Sequence, residues 1–593
     1  MDRHNEIGSN FAGLSVVLIR LTAVSQIMTT ESQHKLNLSV LFTIAFKDVH
    51  SKGIILRAFE QFGLKSCINF IPRQNEDYFI HIQKLGGCYS YVGKFFPGGQ
   101  NVSIGSGCAF VHIVEHELLH ALGFFHEQSR YDRDDHVTII WENIQEGFER
   151  NFDKVSEDYS SLLNTSYDYT SVMHYDKDAF SNGNGSTIIT KQPEFQDVIG
   201  NSIEMSSTDA LELNRLYHCD ASVSFLDHCS FEDESLCEMS VCSRSSAGWQ
   251  RVSRADGGPH SDHTYLGTDS QGHGFFMHFS TITGEEWDSA RLTTRRMTPG
   301  RTCQVQCLQF YYYYSGNETD QLNIWIREFD SEEDTEGTRR LMGQITGNYW
   351  QFHHVPLNAT KTFQVEFEAR KGPGSSSGGF SVDDINLSET ECPHQTWQIR
   401  NFEEVLNTSN YGTILYSPKY YSIDGYGYQI LLQLLNTFFG VRVRLVSGDY
   451  DDTLEWPLAW RQITARMLDQ NPHMQLRLSR ERSLTTDPVL ISGFAWGNPR
   501  EVGNLTTVGG ETFNASYGYG WGYFMALEDL QKRDFLKGDL SPLLTNNSLP
   551  CAAIPVQNFT LTPEESIDDG PCSRYALQNS IHYVLTFQSQ IFV

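Results

Sequence analysis

His116-Glu117-Leu118-Leu119-His120-Ala121-Leu122-Gly123-Phe124-Phe125-His126-Glu127 places three imidazoles and a carboxylate at spacings that one metal centre can use together. Side chains four apart share a helix face, so His116 and His120 present two rings to one ion while Glu117 projects beside them toward a metal-bound water. Gly123 breaks the helix, because glycine takes a left-handed conformation at little cost, and the chain turns back to bring His126 to the same ion. Three imidazoles leave zinc an open position for water, as catalytic sites need, whereas a structural zinc closes its shell with a fourth protein ligand. A water acidified by zinc, with Glu117 to take its proton and pass it to a leaving amine, is the chemistry of peptide-bond hydrolysis.

The rest of the chain sets the context for that motif. Its 593 residues exceed one ordinary core and predict three or four domains. With 44 basic against 73 acidic residues the net charge is −29, spread along the sequence, which argues against nucleic acid as a partner. The twelve cysteines contain no paired CxxC motifs, so disulfides are expected rather than thiolate zinc sites. Asn-X-Ser/Thr sequons recur, with Asn101, Asn164, Asn317, Asn358, Asn386, Asn407, Asn504 and Asn514 as glycosylation candidates. Cysteines and sequons both point outside the cytosol. No signal peptide is evident, since the apolar stretch after residue 10 is interrupted by Arg20 and the better run at residues 36–46 lies too far in. No segment reaches the roughly 18 apolar residues of a transmembrane helix, so the membrane is a partner only through an anchor that this chain lacks.

Periodicity and cysteine grouping divide the chain. Residues 52–220 mix helical patterns (53–63, 108–123 and 207–217) with short strands. Residues 225–394 alternate aromatic and aliphatic runs, such as 308–314, 322–328 and 363–367, and read as a β-sandwich. Residues 395–549 read as a second β-rich domain with one helical insert at 459–470. Residues 1–51, an atypical start, and 550–593 show no strong period and stay unassigned.

Downstream, Ser171-Val172-Met173-His174-Tyr175 follows the zinc motif at the distance of a metzincin Met-turn. The pair HExxHxxGxxHE and SxMHY resembles the astacin family. The resemblance implies that His116, His120 and His126 are the zinc ligands, Glu117 the catalytic base, Met173 the hydrophobic floor, and Tyr175 a swinging fifth ligand that stabilises the oxyanion. It further implies disulfides Cys67 to Cys219 and Cys88 to Cys108, and a substrate laid along the sheet edge within residues 89–105. Glu127 is the residue that would face a freed amino terminus, and no fitting start is found upstream of Lys52.

Two more stretches extend the resemblance. His228-Cys229-Ser230-Phe231-Glu232 with Leu236-Cys237, and Gly379-Phe380-Ser381-Val382-Asp383-Asp384-Ile385, look like the ends of a MAM domain. Trp397-Gln398-Ile399-Arg400-Asn401-Phe402, Gly448-Asp449-Tyr450-Asp451-Asp452 and Arg533-Asp534-Phe535-Leu536-Lys537-Gly538-Asp539 resemble a MATH (TRAF-like) domain. Protease, MAM and MATH in that order is the architecture of meprins. The expected fold is therefore multidomain: an α+β zincin-type catalytic domain followed by two all-β sandwiches. The resemblance implies one Zn2+ per chain, protein and peptide substrates, homo- or hetero-oligomers through the MAM and MATH domains, and a type I cell-surface location. Cys242 and Cys303 are left with their pairing open. The competing reading is a catalytically inactive adhesion protein acting through its MAM and MATH domains.

Overall fold

The computed structural model describes residues 38–45, 49–243, 248–266, 274–301, 304–345, 350–487, 494–537, 539–540 and 542–546. The unassigned tail from residue 550 and the first 37 residues lie outside this set. The folded chain separates into two compact units, one of residues up to Phe225 together with Leu478–Ser483 and one of Leu226–Arg477 together with the residues from Leu484 onward.

The first unit is built on a five-stranded sheet of β1 (Leu38–Ile44), β2 (Ile68–Pro72), β3 (Ile80–Gln83), β4 (Cys88–Ser90) and β5 (Gln100–Ile104), in the order β2-β1-β3-β5-β4. β1 runs parallel to β2 and β3, β3 runs parallel to β5, and only β4, at the edge, is antiparallel. Helices α1 (Val49–Lys65) and α2 (Val111–Ala121) pack with this sheet. Ile54, Ile55, Ala58 and Phe62 from α1 meet Val114, Leu118 and Leu119 from α2 and Val40, Ile82 and Val102 from the strands. Each of the Ile, Val, Leu and Phe side chains among them contributes about 1.5–3 kcal/mol of burial free energy. Cys67–Cys219 joins the start of β2 to the end of α3 (Ser207–Leu216), and Cys88–Cys108 closes the loop before α2. Residues 137–139 and 188–190 form a small separate antiparallel pair, β6 and β7.

One boundary differs from the sequence reading. β1 lies before residue 52, yet it is an interior strand, paired on both sides. Its Val40 and Phe42 alternate inward, so the apolar run weighed above as a misplaced leader segment is a period-2 strand.

The second unit holds two sandwiches. In the first, the strands Gln306–Tyr314, Gly379–Ser388 and Phe276–Ser280 of one sheet face Gln321–Phe329, Thr362–Arg370 and Ser289–Thr293 of the other. Phe279, Phe310, Phe380, Ile324 and Phe367 fill the space between, as alternation predicts. Cys229–Cys237 and Cys307–Cys392 staple it, and Cys242 is also disulfide-bonded. The second sandwich closes over Trp397, Phe439, Trp496 and Phe524. The helix expected at residues 459–470 is absent there. Gln462–Met467 is instead a strand, antiparallel to Pro542–Asn546, because sheet pairing outweighs the helix propensity of Ala, Arg, Gln and Met. Among the described residues no helix is long and apolar enough to cross a membrane.

Candidate active site

α2 owes its position to Val114, Leu118, Leu119 and Ala121, which are buried in the core and leave His116, Glu117 and His120 to be held at fixed angles. The helix stops where Gly123 adopts φ +104°. The N–H of Gly123 then bonds His120 O at 2.9 Å and that of Phe124 bonds Leu119 O at 3.0 Å, so the last carbonyls are satisfied while the chain reverses. The reversal delivers His126. Its Nε2 lies 3.1 Å from His120 Nε2 and 3.3 Å from His116 Nε2, so three ring nitrogens converge on one point.

The far side of two rings is fixed by backbone. His116 Nδ1 bonds Val172 O, and His120 Nδ1 bonds Phe124 O, each at 2.8 Å. A carbonyl accepts only from a protonated nitrogen, so both rings carry hydrogen on Nδ1 and leave the Nε2 lone pair free for a metal. Burial lowers the pKa of all three histidines, that of His120 to about 3, and keeps them neutral as ligation requires. Three converging neutral imidazoles fit zinc. Glu117, directly after His116 in the chain, is buried at 3% exposure.

Ser171 to Tyr175 forms the second wall. Met173 is buried at 2% exposure, and its carbonyl accepts from Glu127 N–H at 3.0 Å, tying the turn to the loop that carries His126. Asp209, the N3 residue of the α3 capping box with Ser206, also reaches the turn, accepting from Ser171 Oγ at 2.6 Å and Val172 N–H at 2.9 Å. The Tyr175 ring lies 4.4 Å from the His126 ring, and its N–H bonds Gln128 Oε1 at 3.1 Å. Phe180, held at φ +52°, packs its ring 5.6 Å from Tyr175. A bulky side chain in the left-handed region is costly, so surrounding contacts must hold it there.

The chain is 47% identical over 542 residues to human meprin A subunit beta, covering 90% of this chain and 76% of that protein. The chain belongs to the meprin group of the astacin family. The family models agree in order along the sequence: Astacin (Peptidase family M12A) at residues 28–218, the MAM domain, meprin/A5/mu, at 229–393, and the MATH domain at 394–541. Rat meprin A subunit alpha is 40% identical over 83% of this chain and 67% of its own length. Among solved structures, the medaka hatching enzyme zinc-protease HCE-1 is 38% identical, covers 33% of this chain and 96% of that one, and superposes with a TM-score of 0.31. This meprin-type chain is a zinc metalloendopeptidase by family. Its astacin match starts at residue 28, well before the boundary read from sequence at 52.

The structure brings together His116, His120 and His126 with Tyr175 at the ring of the third, and forms both cystine pairs that the resemblance implied. Asn101, Asn164, Asn358, Asn407 and Asn504 are exposed, while Asn317 and Asn514 are half-buried. Asn386 is a correction. It is fully buried, with Nδ2 donating to Asp384 O at 3.0 Å and Pro472 O at 2.7 Å, which leaves no room for a glycan. Asp209, Gln128 and Phe180 escaped sequence reasoning. Of these only Asp209 carried a signal, the Ser206-x-x-Asp209 capping box.

Proposed function

We propose that this meprin-type astacin cleaves peptide bonds within extracellular and cell-surface proteins and peptides, with His116, His120 and His126 holding zinc and Glu117 as general base. Zinc held there supplies Lewis acidity, making water a nucleophile near neutral pH and polarising a carbonyl. Glu117 accepts the proton of the attacking water and returns it to the leaving nitrogen. The Tyr175 hydroxyl donates to the developing oxyanion. The outer edge of β4 offers unpaired N–H and C=O groups to which an extended substrate adds as another strand. The observation that carries the reading is the convergence of three Nε2 atoms whose rings, at His116 and His120, are locked by carbonyls in the ligating tautomer.

The two sandwiches suit oligomer formation, and the disulfides suit an oxidising compartment outside the cytosol. The experiment is zinc analysis and peptide hydrolysis of the purified chain beside Glu117→Ala. The variant keeps its zinc and loses about 10²-fold or more in rate. Equal activity in the two proteins refutes the role given to Glu117.

A further inference from the structure

Between β4 and β5 the chain runs Tyr91-Val92-Gly93-Lys94-Phe95-Phe96-Pro97-Gly98-Gly99. Its side chains are placed against the usual preference. The Lys94 ammonium packs over the Tyr78 ring at 4.5 Å, while Phe95 and Phe96 remain 53% and 42% exposed. The two exposed rings cluster with half-buried Tyr91: Tyr91 stacks on Phe95 at 5.1 Å, Phe96 meets Tyr91 edge-on at 5.1 Å, and Phe95 and Phe96 lie 4.8 Å apart.

The backbone of this loop is held at several points. The buried amide of Gln100 accepts from Phe95 N–H and donates to Gly93 O, each at 2.9 Å. The N–H of Gly93 bonds His120 O at 2.8 Å, fixing the loop to the helix end that carries a zinc ligand. Gly99, at φ +96°, lies so close to Phe79 that a Cβ would stand 2.8 Å from its carbonyl oxygen, which sets the turn back into β5. A rigid scaffold that presents apolar rings to water marks a recognition surface.

We propose that Tyr91, Phe95 and Phe96 form an apolar subsite that takes one large apolar side chain of the substrate polypeptide, away from the cleaved bond. The inference rests on the endopeptidase reading and on β4 as the strand along which substrate lies. The occupant follows from continuity: Tyr91 directly follows β4, so a peptide added to that edge runs onto the aromatic cluster. Its chemistry follows from the rings, which offer faces and edges but no charge, since Lys94 is turned onto Tyr78.

The test uses peptides that share one scissile sequence and carry a single phenylalanine or serine at successive positions along both flanks. In the native enzyme one position gives a kcat/KM roughly 10-fold higher for phenylalanine than for serine, on the order of one well-placed apolar contact. In Phe95→Ser/Phe96→Ser that ratio falls to about one, and in Phe95→Leu/Phe96→Leu, which keeps the apolar surface, it persists. A native enzyme with no such position, or a serine variant that retains the preference, overturns the subsite. Loss of a dimer in the serine variant with its peptide preference intact overturns it too, and assigns the rings to a second copy of the chain. Should no peptide be cleaved, the endopeptidase reading fails separately; binding of the same peptides to Glu117→Ala, read by fluorescence anisotropy, then decides the subsite, which equal affinities for the phenylalanine and serine peptides exclude.

Discussion

The carbonyl of Val172 accepts from His116 Nδ1 at 2.8 Å, while the N–H of the same residue donates to Asp209 at 2.9 Å. A proposed zinc ligand on α2, His116, is thus oriented by a turn that is itself anchored by the first turn of α3. Asp209 is buried and also accepts from Ser206 N–H at 2.9 Å, so one carboxylate caps a helix and holds the turn. Asp209→Ala is expected to weaken zinc affinity about 10- to 100-fold, as loss of outer-shell support does. Competition with a calibrated chelator measures this, and an unchanged zinc affinity would remove Asp209 from the support of the site.

Arg130 is a second, half-buried anchor. It bonds Glu127 at 3.2 Å, grips Asp132 with two bonds of 2.9 Å, and lies 3.6 Å from Glu212. Glu127, the residue sequence reasoning left without an amino-terminal partner, is therefore held by Arg130 and by Asp168 N–H at 2.8 Å. Burial raises the pKa of Glu127 well above the ordinary carboxylate range, and Arg130 opposes that rise. Arg130→Ala removes charge-assisted hydrogen bonds to these acids and is expected to cost about 1.5–3 kcal/mol. Thermal unfolding reads the loss, and adding Glu127→Gln to the variant recovers part of it.

What was legible in the sequence was local. α2 and the convergence of three histidine rings were readable because residues four apart on a helix must share a face, and Gly123 announces the reversal that brings His126 to them. Asp209 acts 37 residues from Val172, and no spacing rule connects a helix cap to a turn that far away. β1 was lost because Val40 and Phe42, which alternate inward, sit in a run apolar enough to be weighed as a leader segment. The strand Gln462–Met467 was misread because its residues favour helices when no partner strand is in view. The sequon at Asn386 describes what an enzyme reads on an extended chain and says nothing of burial.

That asparagine makes a sharp prediction. Asn386 joins the two sandwiches, donating to Pro472 O at 2.7 Å and accepting from Met474 N–H at 2.9 Å. Glycopeptide mass spectrometry of the folded protein should find Asn386 unmodified while the exposed Asn101, Asn358 and Asn504 are open to glycans. Asn386→Asp replaces two donated hydrogen bonds by oxygen facing oxygen, and is expected to destabilise this unit by about 2–3 kcal/mol. A glycan found at Asn386 would contradict the junction as described.

Buried histidines contribute to the response of the sandwich unit to acid, three of them in the first sandwich with shifts of one size. Burial lowers His278, His353 and His354 to about 4, and for His353 it is the sole cause. Unfolded, each titrates near 6.5, so between about pH 6.5 and 4 the unfolded chain binds protons that the folded one refuses. The sign follows: their stabilising contribution is full above the unfolded value, is lost as pH falls through this window, and levels off below about 4. Between pH 6.5 and 5.5 the loss comes to about 1 kcal/mol per histidine, in a range where ordinary carboxylates contribute little. Calorimetry should therefore show the midpoint of the sandwich unit falling across that single pH unit. His353→Gln, which cannot titrate, should flatten the fall by about a quarter or less, because His473, also lowered to about 4, and the lowered His228 and His263 share it. A midpoint that holds steady from pH 6.5 to 5.5, or a His353→Gln protein with the native slope, would mean that these rings accept protons without unfolding.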